Sequence, residues 1–128
     1  MEFQIGVDVV EISRLEAVLK RFGERFLRRI YTPAEQALCR GRVPELAVRF
    51  AAKEAAMKAL GTGRRGVGWR EIEVLADRRG RPLLFLHGRA GERAAELGLQ
   101  HFAVSLSHER HLAVATVIAW GEGHRDDR

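Results

Sequence analysis

Residues 49–63 read RFAAKEAAMKALGTG. Alanine, methionine and leucine favour a helix, and Gly61 supplies a stop, so the segment is predicted to be a helix that ends in a glycine turn. At about 100° per residue, Glu54 falls roughly 40° from Phe50 and Lys53 roughly 60° to its other side. Glu54 and Lys58 are four apart and therefore neighbours. The helix thus carries Lys53, Glu54 and Lys58 among residues that look like core. Two readings stand open: an ordinary helical ion pair on a solvated edge, or charges that line a pocket. The run into Gly61-Thr62-Gly63 fits the second, because small residues let a ligand or another backbone approach closely.

Working outward, Pro44 opens this helix, and the chain before it starts with a strand. Phe3, Ile5, Val7 and Val9 alternate with Gln4, Gly6, Asp8 and Val10, the period of two expected of a strand. Ser13 to Glu16 has a capping-box pattern, and Leu15, Val18, Leu19, Phe22 and Phe26 give an apolar helix face that Gly23 can interrupt. Thr32-Pro-Ala-Glu35 begins a further short helix. Strands are expected at 71–75 and 82–87 around the turn Asp77 to Arg81, then a helix over 89–97 closed by Gly98. Two last strands, 101–107 and 111–120, flank the turn Glu109-Arg110. Helices come first and most strands later, which predicts an α+β fold with a mainly antiparallel sheet packed with helices. The expected organisation is one domain over 1–120 and a frayed tail over 121–128, GEGHRDDR, which has no apolar anchor.

At 128 residues the chain can bury one real core. No apolar run nears the roughly 20 residues a membrane span needs. MEFQIGVDVVE carries acids early and does not read as a signal peptide, and the single cysteine, Cys39, sits in an Arg-rich stretch that reads as exposed and unreactive. A cytoplasmic location is the expectation. The net charge is +5, and of 22 basic residues only Lys20, Lys53 and Lys58 are lysines. That balance favours an anionic partner, whether nucleic acid, a phosphorylated small molecule or an acidic protein.

Four features bear on chemistry. Asp8 interrupts the apolar strand IGVDVVEI, so its carboxylate must be solvated, paired or metal-bound. Asp8 and Glu54 together with ligand phosphates would suit Mg²⁺, which takes few protein ligands and keeps several waters. Ser105 and Ser107 share a strand face and His108 follows, but no nucleophile elbow surrounds either serine. Arg14, Arg21, Arg25 and Arg28 form one stripe if the first helix runs on past Gly23, with Lys20 and Arg29 beside it; this is either a solvated face or a docking surface for an acidic partner. No Walker or dinucleotide glycine motif is present.

Taken together, IGVDVVEISRLE (5–16), RFAAKEAAMKALGTG (49–63), GWREIEVL (68–75), GRPLLFLHGRA (80–90) and VSLSHERHLAVATVIA (104–119) resemble the holo-[acyl-carrier-protein] synthases, the small type of 4′-phosphopantetheinyl transferase. The resemblance covers nearly the whole chain before its tail. It implies transfer of the phosphopantetheine arm of coenzyme A to a serine of apo acyl carrier protein, with release of adenosine 3′,5′-bisphosphate, in support of fatty acid biosynthesis. It implies that Asp8 and Glu54 hold Mg²⁺, that Lys58 lies at the phosphates, and that Arg49, Gly61, Thr62, Gly63, Ser107 and His108 belong to the coenzyme A site. Arg14 and Arg21 are the best-matching members of a basic helix that receives the carrier protein. It further implies homotrimers with sites between neighbouring subunits. Glu54, acting through water, is the expected base for the serine proton. The segment CRGRVPEL (39–46) is less family-like, and GTGRRGVGW adds Arg64 and Arg65 near the expected phosphate site.

A basic module that binds RNA or DNA would explain the charge but not Asp8 and Glu54, which repel phosphates without a metal. It also lacks aromatics interleaved with the arginines. Neither a nucleic-acid partner nor a membrane is expected. A coenzyme A-binding regulator without catalysis is the third reading, opposed by the intact set Asp8, Glu54 and Lys58.

Overall fold

Alternation near the N-terminus produces a ten-residue strand, β1 (Glu2–Glu11), in a computed structural model that describes residues 1–123, the side chains of Arg64 and Arg65 excepted. Helices α1 (Ile12–Phe22), α2 (Glu24–Ile30), α3 (Pro33–Cys39) and α4 (Val43–Leu60) follow, then a single turn, α5 (Gly63–Gly66). A 3-10 turn at Trp69–Glu71 leads into the hairpin β2 (Ile72–Ala76) and β3 (Pro82–Leu86), helix α6 (Gly88–Glu96), and the hairpin β4 (His101–His108) and β5 (Leu112–Gly121). Both sheets are antiparallel, ordered β1-β5-β4 and β2-β3, so the α+β expectation holds.

Helix α4 lies across one face of the three-stranded sheet. Its alanines 47, 51, 52, 55, 56 and 59 are buried, as are Ala113, Ala115 and Ala119 of β5. Small side chains on both surfaces bring helix and sheet close together, and Gly6 brings them closest. A Cβ on Gly6 would lie 1.9 Å from the Ala55 carbonyl oxygen. The half of β1 that faces α4 is therefore Gln4, Gly6, Asp8 and Val10. Phe3, Ile5, Val7 and Val9 face away and are 51–66% exposed.

Local signals succeed where the chemistry is short-range. Thr32 Oγ1 accepts from the Glu35 N–H and Glu35 Oε1 accepts from the Thr32 N–H, a complete capping box with Pro33 in the first turn. Gly61 ends α4 in the left-handed region, at φ 71°. Asp77 Oδ1 accepts from the Arg79 and Arg81 N–H groups, closing the β2–β3 turn.

Three expectations are corrected and one left open, the break at Gly23, is decided. The capping box at Ser13 does not form: α1 starts at Ile12, whose N–H donates to His111 O at 2.9 Å, so the sheet ladder runs into the first helical residue. The first helix is not continuous past Gly23, which has φ 56° and ψ −129° and divides α1 from α2. Cys39 is buried rather than exposed, and burial, the leading cause, pushes its thiol up to about 11. The proposed tail boundary falls too early: Gly121 is a buried strand residue and the Gly123 N–H donates to Gly98 O. The rest of the expected frayed tail, 124–128, lies outside the described residues. No helix among the described residues is long and apolar enough to cross a membrane.

Candidate active site

Two of the residues singled out by sequence, Asp8 and Lys58, meet at the β1 edge, and a third, Glu54, lies one helical turn away on α4. Asp8 sits on the α4-facing side of β1, and Gly6, two residues earlier on that side, sets how near the helix lies. The Asp8 side chain is 15% exposed. Lys58, in the last turn of α4, donates from Nζ to Asp8 Oδ1 at 3.1 Å and to the Val7 carbonyl at 2.9 Å. Glu54 is one helical turn before Lys58. It lines a groove of about 340 Å³ with Val9, Val10, Glu11, Arg14, Leu15, Val18, Phe26 and Phe50. Lys58 thus joins Asp8 where α4 ends, and Glu54 stands one turn back along the same helix.

The glycine turn follows at once. The Gly61 N–H donates to Lys58 O, the Thr62 N–H to Met57 O, and Thr62 Oγ1 to Gly63 O. Arg93 of α6 donates from Nε to Leu60 O at 3.0 Å and so caps the end of α4 from outside. The side chains of Arg64 and Arg65, expected near phosphate, lie outside the description.

The other expected members are elsewhere. Arg49 is 4% exposed: its Nε donates to Val74 O at 3.0 Å, and Nη1 donates to Glu45 Oε1 at 2.8 Å. Glu45 Oε2 is 4.0 Å from His108 Nε2, so Arg49, Glu45 and His108 form a second cluster, on the β4 side. Asp8 and His108 lie on opposite edge strands with β5 between them, about 10 Å across the sheet. Ser107 pairs in register with Val114 and faces the outer surface of the sheet, away from His108. A single chain thus does not gather all the residues assigned to the coenzyme A site.

The expected docking residues are all exposed, but they are shared between two helices. Arg14 and Arg21 are on α1 and Arg25 and Arg28 on α2. Arg14 lies 3.7 Å from Glu11, and the Arg21 guanidinium sits over the Phe22 ring. A second groove of about 280 Å³, lined by Val18, Phe22, Arg25, Phe26 and Arg29, adjoins the first through Val18 and Phe26.

Sequence reasoning missed two acids. Lys53 does not line a cleft: it is fully buried and pairs with Glu35 Oε1 at 2.8 Å, with the Trp69 and Ile72 carbonyls as further acceptors. Glu35 Oε2 accepts from the Val74 N–H. A lysine set in a helix otherwise built of Phe50, Ala51, Ala52, Ala55, Ala56 and Met57 was the available signal that a buried acid must answer it. Glu45, in the first turn of α4, left no comparable signal.

Chemically, two carboxylates and an ammonium at a glycine turn suit a phosphorylated ligand held with a hard divalent cation. Among the described residues no group of three or more His, Cys, Asp or Glu gathers to hold a metal. A cation on Asp8 and Glu54 would therefore complete its shell with phosphate and water oxygens, as Mg²⁺ does. Asp8 already attracts a cation, the Lys58 ammonium, so the donor set fits.

The chain is 51% identical over 123 residues to a holo-[acyl-carrier-protein] synthase of Herpetosiphon aurantiacus, covering 91% of this chain and 97% of that protein. The crystal structure of the Helicobacter pylori holo-[acyl-carrier-protein] synthase in complex with coenzyme A superposes with a TM-score of 0.83 at 33% identity, covering 91% of this chain and 99% of that one. The Neisseria meningitidis holo-[acyl-carrier-protein] synthase superposes with a TM-score of 0.84 at 39% identity, over 91% and 97%. The sequence pattern of the 4′-phosphopantetheinyl transferase superfamily matches residues 4–117, and the chain belongs to that superfamily.

Proposed function

We propose that the protein transfers the 4′-phosphopantetheine arm of coenzyme A to a serine of apo acyl carrier protein. The observation that carries this reading is the contact of Lys58 with Asp8 just before the turn Gly61–Gly63, with Glu54 one turn back on α4, in a chain of this superfamily. In the reaction the serine oxygen bonds to the phosphorus that bears the pantetheine arm. The bond from that phosphorus to the adenosine 3′,5′-bisphosphate oxygen breaks, and the bisphosphate leaves. Mg²⁺, when bound, neutralises phosphate charge and helps to hold the pyrophosphate in line.

This chain's residues do the remaining work. Asp8 and Glu54 would hold the cation. Lys58, on a flexible half-exposed stem, offsets the charge that grows on the leaving bisphosphate. Glu54, through a water, takes the serine proton. Arg14 and Arg21 on α1, with Arg25 and Arg28 on α2, receive an acidic carrier-protein helix.

The protein works as a homotrimer with sites between subunits. Two observations support this. Phe3, Ile5, Val7 and Val9 leave an apolar sheet face uncovered, larger than isolated surface residues account for. The two clusters of proposed site residues lie on opposite edges of the sheet, so the β1 edge of one copy could complete the β4 edge of the next. We place the enzyme in the cytoplasm, where a lone unpaired cysteine such as Cys39 stays reduced.

The test is intact-mass spectrometry of apo acyl carrier protein incubated with this protein, coenzyme A and Mg²⁺. A gain of about 340 Da, the mass of the transferred arm, that disappears with EDTA is the expected result. No gain with any of several carrier proteins would overturn the assignment.

A further inference from the structure

We propose that Lys58 is an internal counter-cation that competes with the divalent cation for Asp8, so that metal loading exchanges one for the other and releases the lysine toward the phosphates. The inference rests on the metal role proposed for Asp8 and Glu54. Three observations carry it. First, the Lys58 ammonium is fixed at two points of the same strand, Asp8 Oδ1 at 3.1 Å and the Val7 carbonyl at 2.9 Å. It is therefore directed at the carboxylate rather than trailing in solvent. Second, the two partners differ in freedom. The Asp8 side chain is 15% exposed and held in a strand, whereas Lys58 is 56% exposed on a four-carbon stem. When a stronger cation takes Asp8, the lysine is the partner that moves. Third, Lys58 lies in the last turn of α4, immediately before the turn Gly61–Gly63. A short swing keeps the ammonium near the carbonyl end of the helix, which favours positive charge. The same swing brings it to the turn where phosphate is expected.

The exchange has a consequence for the order of events. A half-buried carboxylate without a cation is costly, so Lys58 keeps Asp8 compensated until the metal arrives. Lysine at the phosphates and metal at the carboxylate are then one coupled state, and neither charge is left unpaired.

The test is Mn²⁺ binding to the full-length protein without coenzyme A, followed by electron paramagnetic resonance of the free ion, for wild type, Lys58→Met, Lys58→Arg and Asp8→Asn. Removing the competitor should tighten Mn²⁺ binding by roughly three- to tenfold in Lys58→Met, as expected from the loss of a half-exposed ion pair. Lys58→Arg, which keeps a cation, should stay near wild type. Lys58→Met should also melt lower in EDTA, and added Mn²⁺ should raise its Tm by more than it raises that of wild type. Unchanged or weaker Mn²⁺ binding in Lys58→Met, with binding still lost in Asp8→Asn, overturns the exchange and leaves the metal assignment standing. Mn²⁺ binding indifferent to both Lys58→Met and Asp8→Asn overturns the exchange and the metal assignment together.

Discussion

Lys53 Nζ lies 2.8 Å from Glu35 Oε1, and neither side chain is reached by solvent. The pair ties α4 to α3, and through the Val74 N–H and the Ile72 carbonyl to β2. Burial, the larger effect, lowers the Lys53 pKa, and the Glu35 carboxylate opposes it. Breaking such a pair from one side leaves a buried charge without its partner. Lys53→Met or Glu35→Gln should each cost about 3–5 kcal/mol, read from urea unfolding. The double variant Lys53→Met with Glu35→Gln should cost less than the sum of the two single losses. Additive losses would show that the pair is not one unit.

Gly6→Ala tests the close contact of β1 with α4. The new Cβ would meet the Ala55 carbonyl oxygen at 1.9 Å, and a backbone atom cannot rotate away. We expect a loss of about 2–3 kcal/mol, in the range of overpacked cores. Transfer activity should fall further than stability explains, because Asp8 is two residues along the same face. Wild-type unfolding in Gly6→Ala would contradict the packing described.

Asp8→Ala and Glu54→Ala should each reduce Mg²⁺-dependent transfer by at least about 100-fold, the scale seen when one charge-stabilising group is removed. Circular dichroism should stay native. Full activity in either variant would remove that residue from the metal site.

Reversing charge at Arg14 and Arg21 should raise KM for the carrier protein roughly tenfold or more and flatten its dependence on salt. Coenzyme A binding should change less than the carrier-protein KM, because only Arg14 shares the groove that Glu54 lines, whereas Arg21 stands over Phe22. An unchanged KM would remove α1 as the docking helix.

Glu71 gives a pH signature. Its carboxylate accepts from the Gly68 N–H at 2.7 Å and the Arg89 N–H at 3.2 Å; the Gly68 bond is the leading cause that holds its pKa below the ordinary value. A depressed carboxylate contributes stability that is present above its unfolded pKa of about 4.3 and is lost as pH falls through the folded value. Glu71→Gln should therefore lower stability at pH 7 and flatten its decline below about pH 4.3. A wild-type slope of stability against pH in that acid range would contradict this role.

Much of the fold was legible because its signals are local. The stop at Gly61, the capping box of Thr32 and Glu35, the Asp77 turn and the alternation of β1 depend on residues within a few positions of one another. Asp8, Glu54 and Lys58 were legible too, since charges set into apolar periodic segments stand out. The Ser13 capping box misled because it looked as strong as that of Thr32, while the sheet ladder reached Ile12 first. Glu35 hid its second role behind its first, as a cap.

By itself, then, the amino-acid order determined which segments are helices and strands, where they stop, and which charges lack an ordinary place. Tertiary structure alone decided which face of β1 is covered. Alternation shows that two faces differ, but only the contact at Gly6 and Ala55 turns Asp8 toward α4 and leaves Phe3, Ile5, Val7 and Val9 outside. It also decided that Arg49 is spent on Val74 and Glu45, that Ser107 and His108 part to opposite faces, and that Lys53 belongs to the core. Such pairings join residues tens of positions apart. Their energy depends on burial and distance, which no short stretch of sequence encodes.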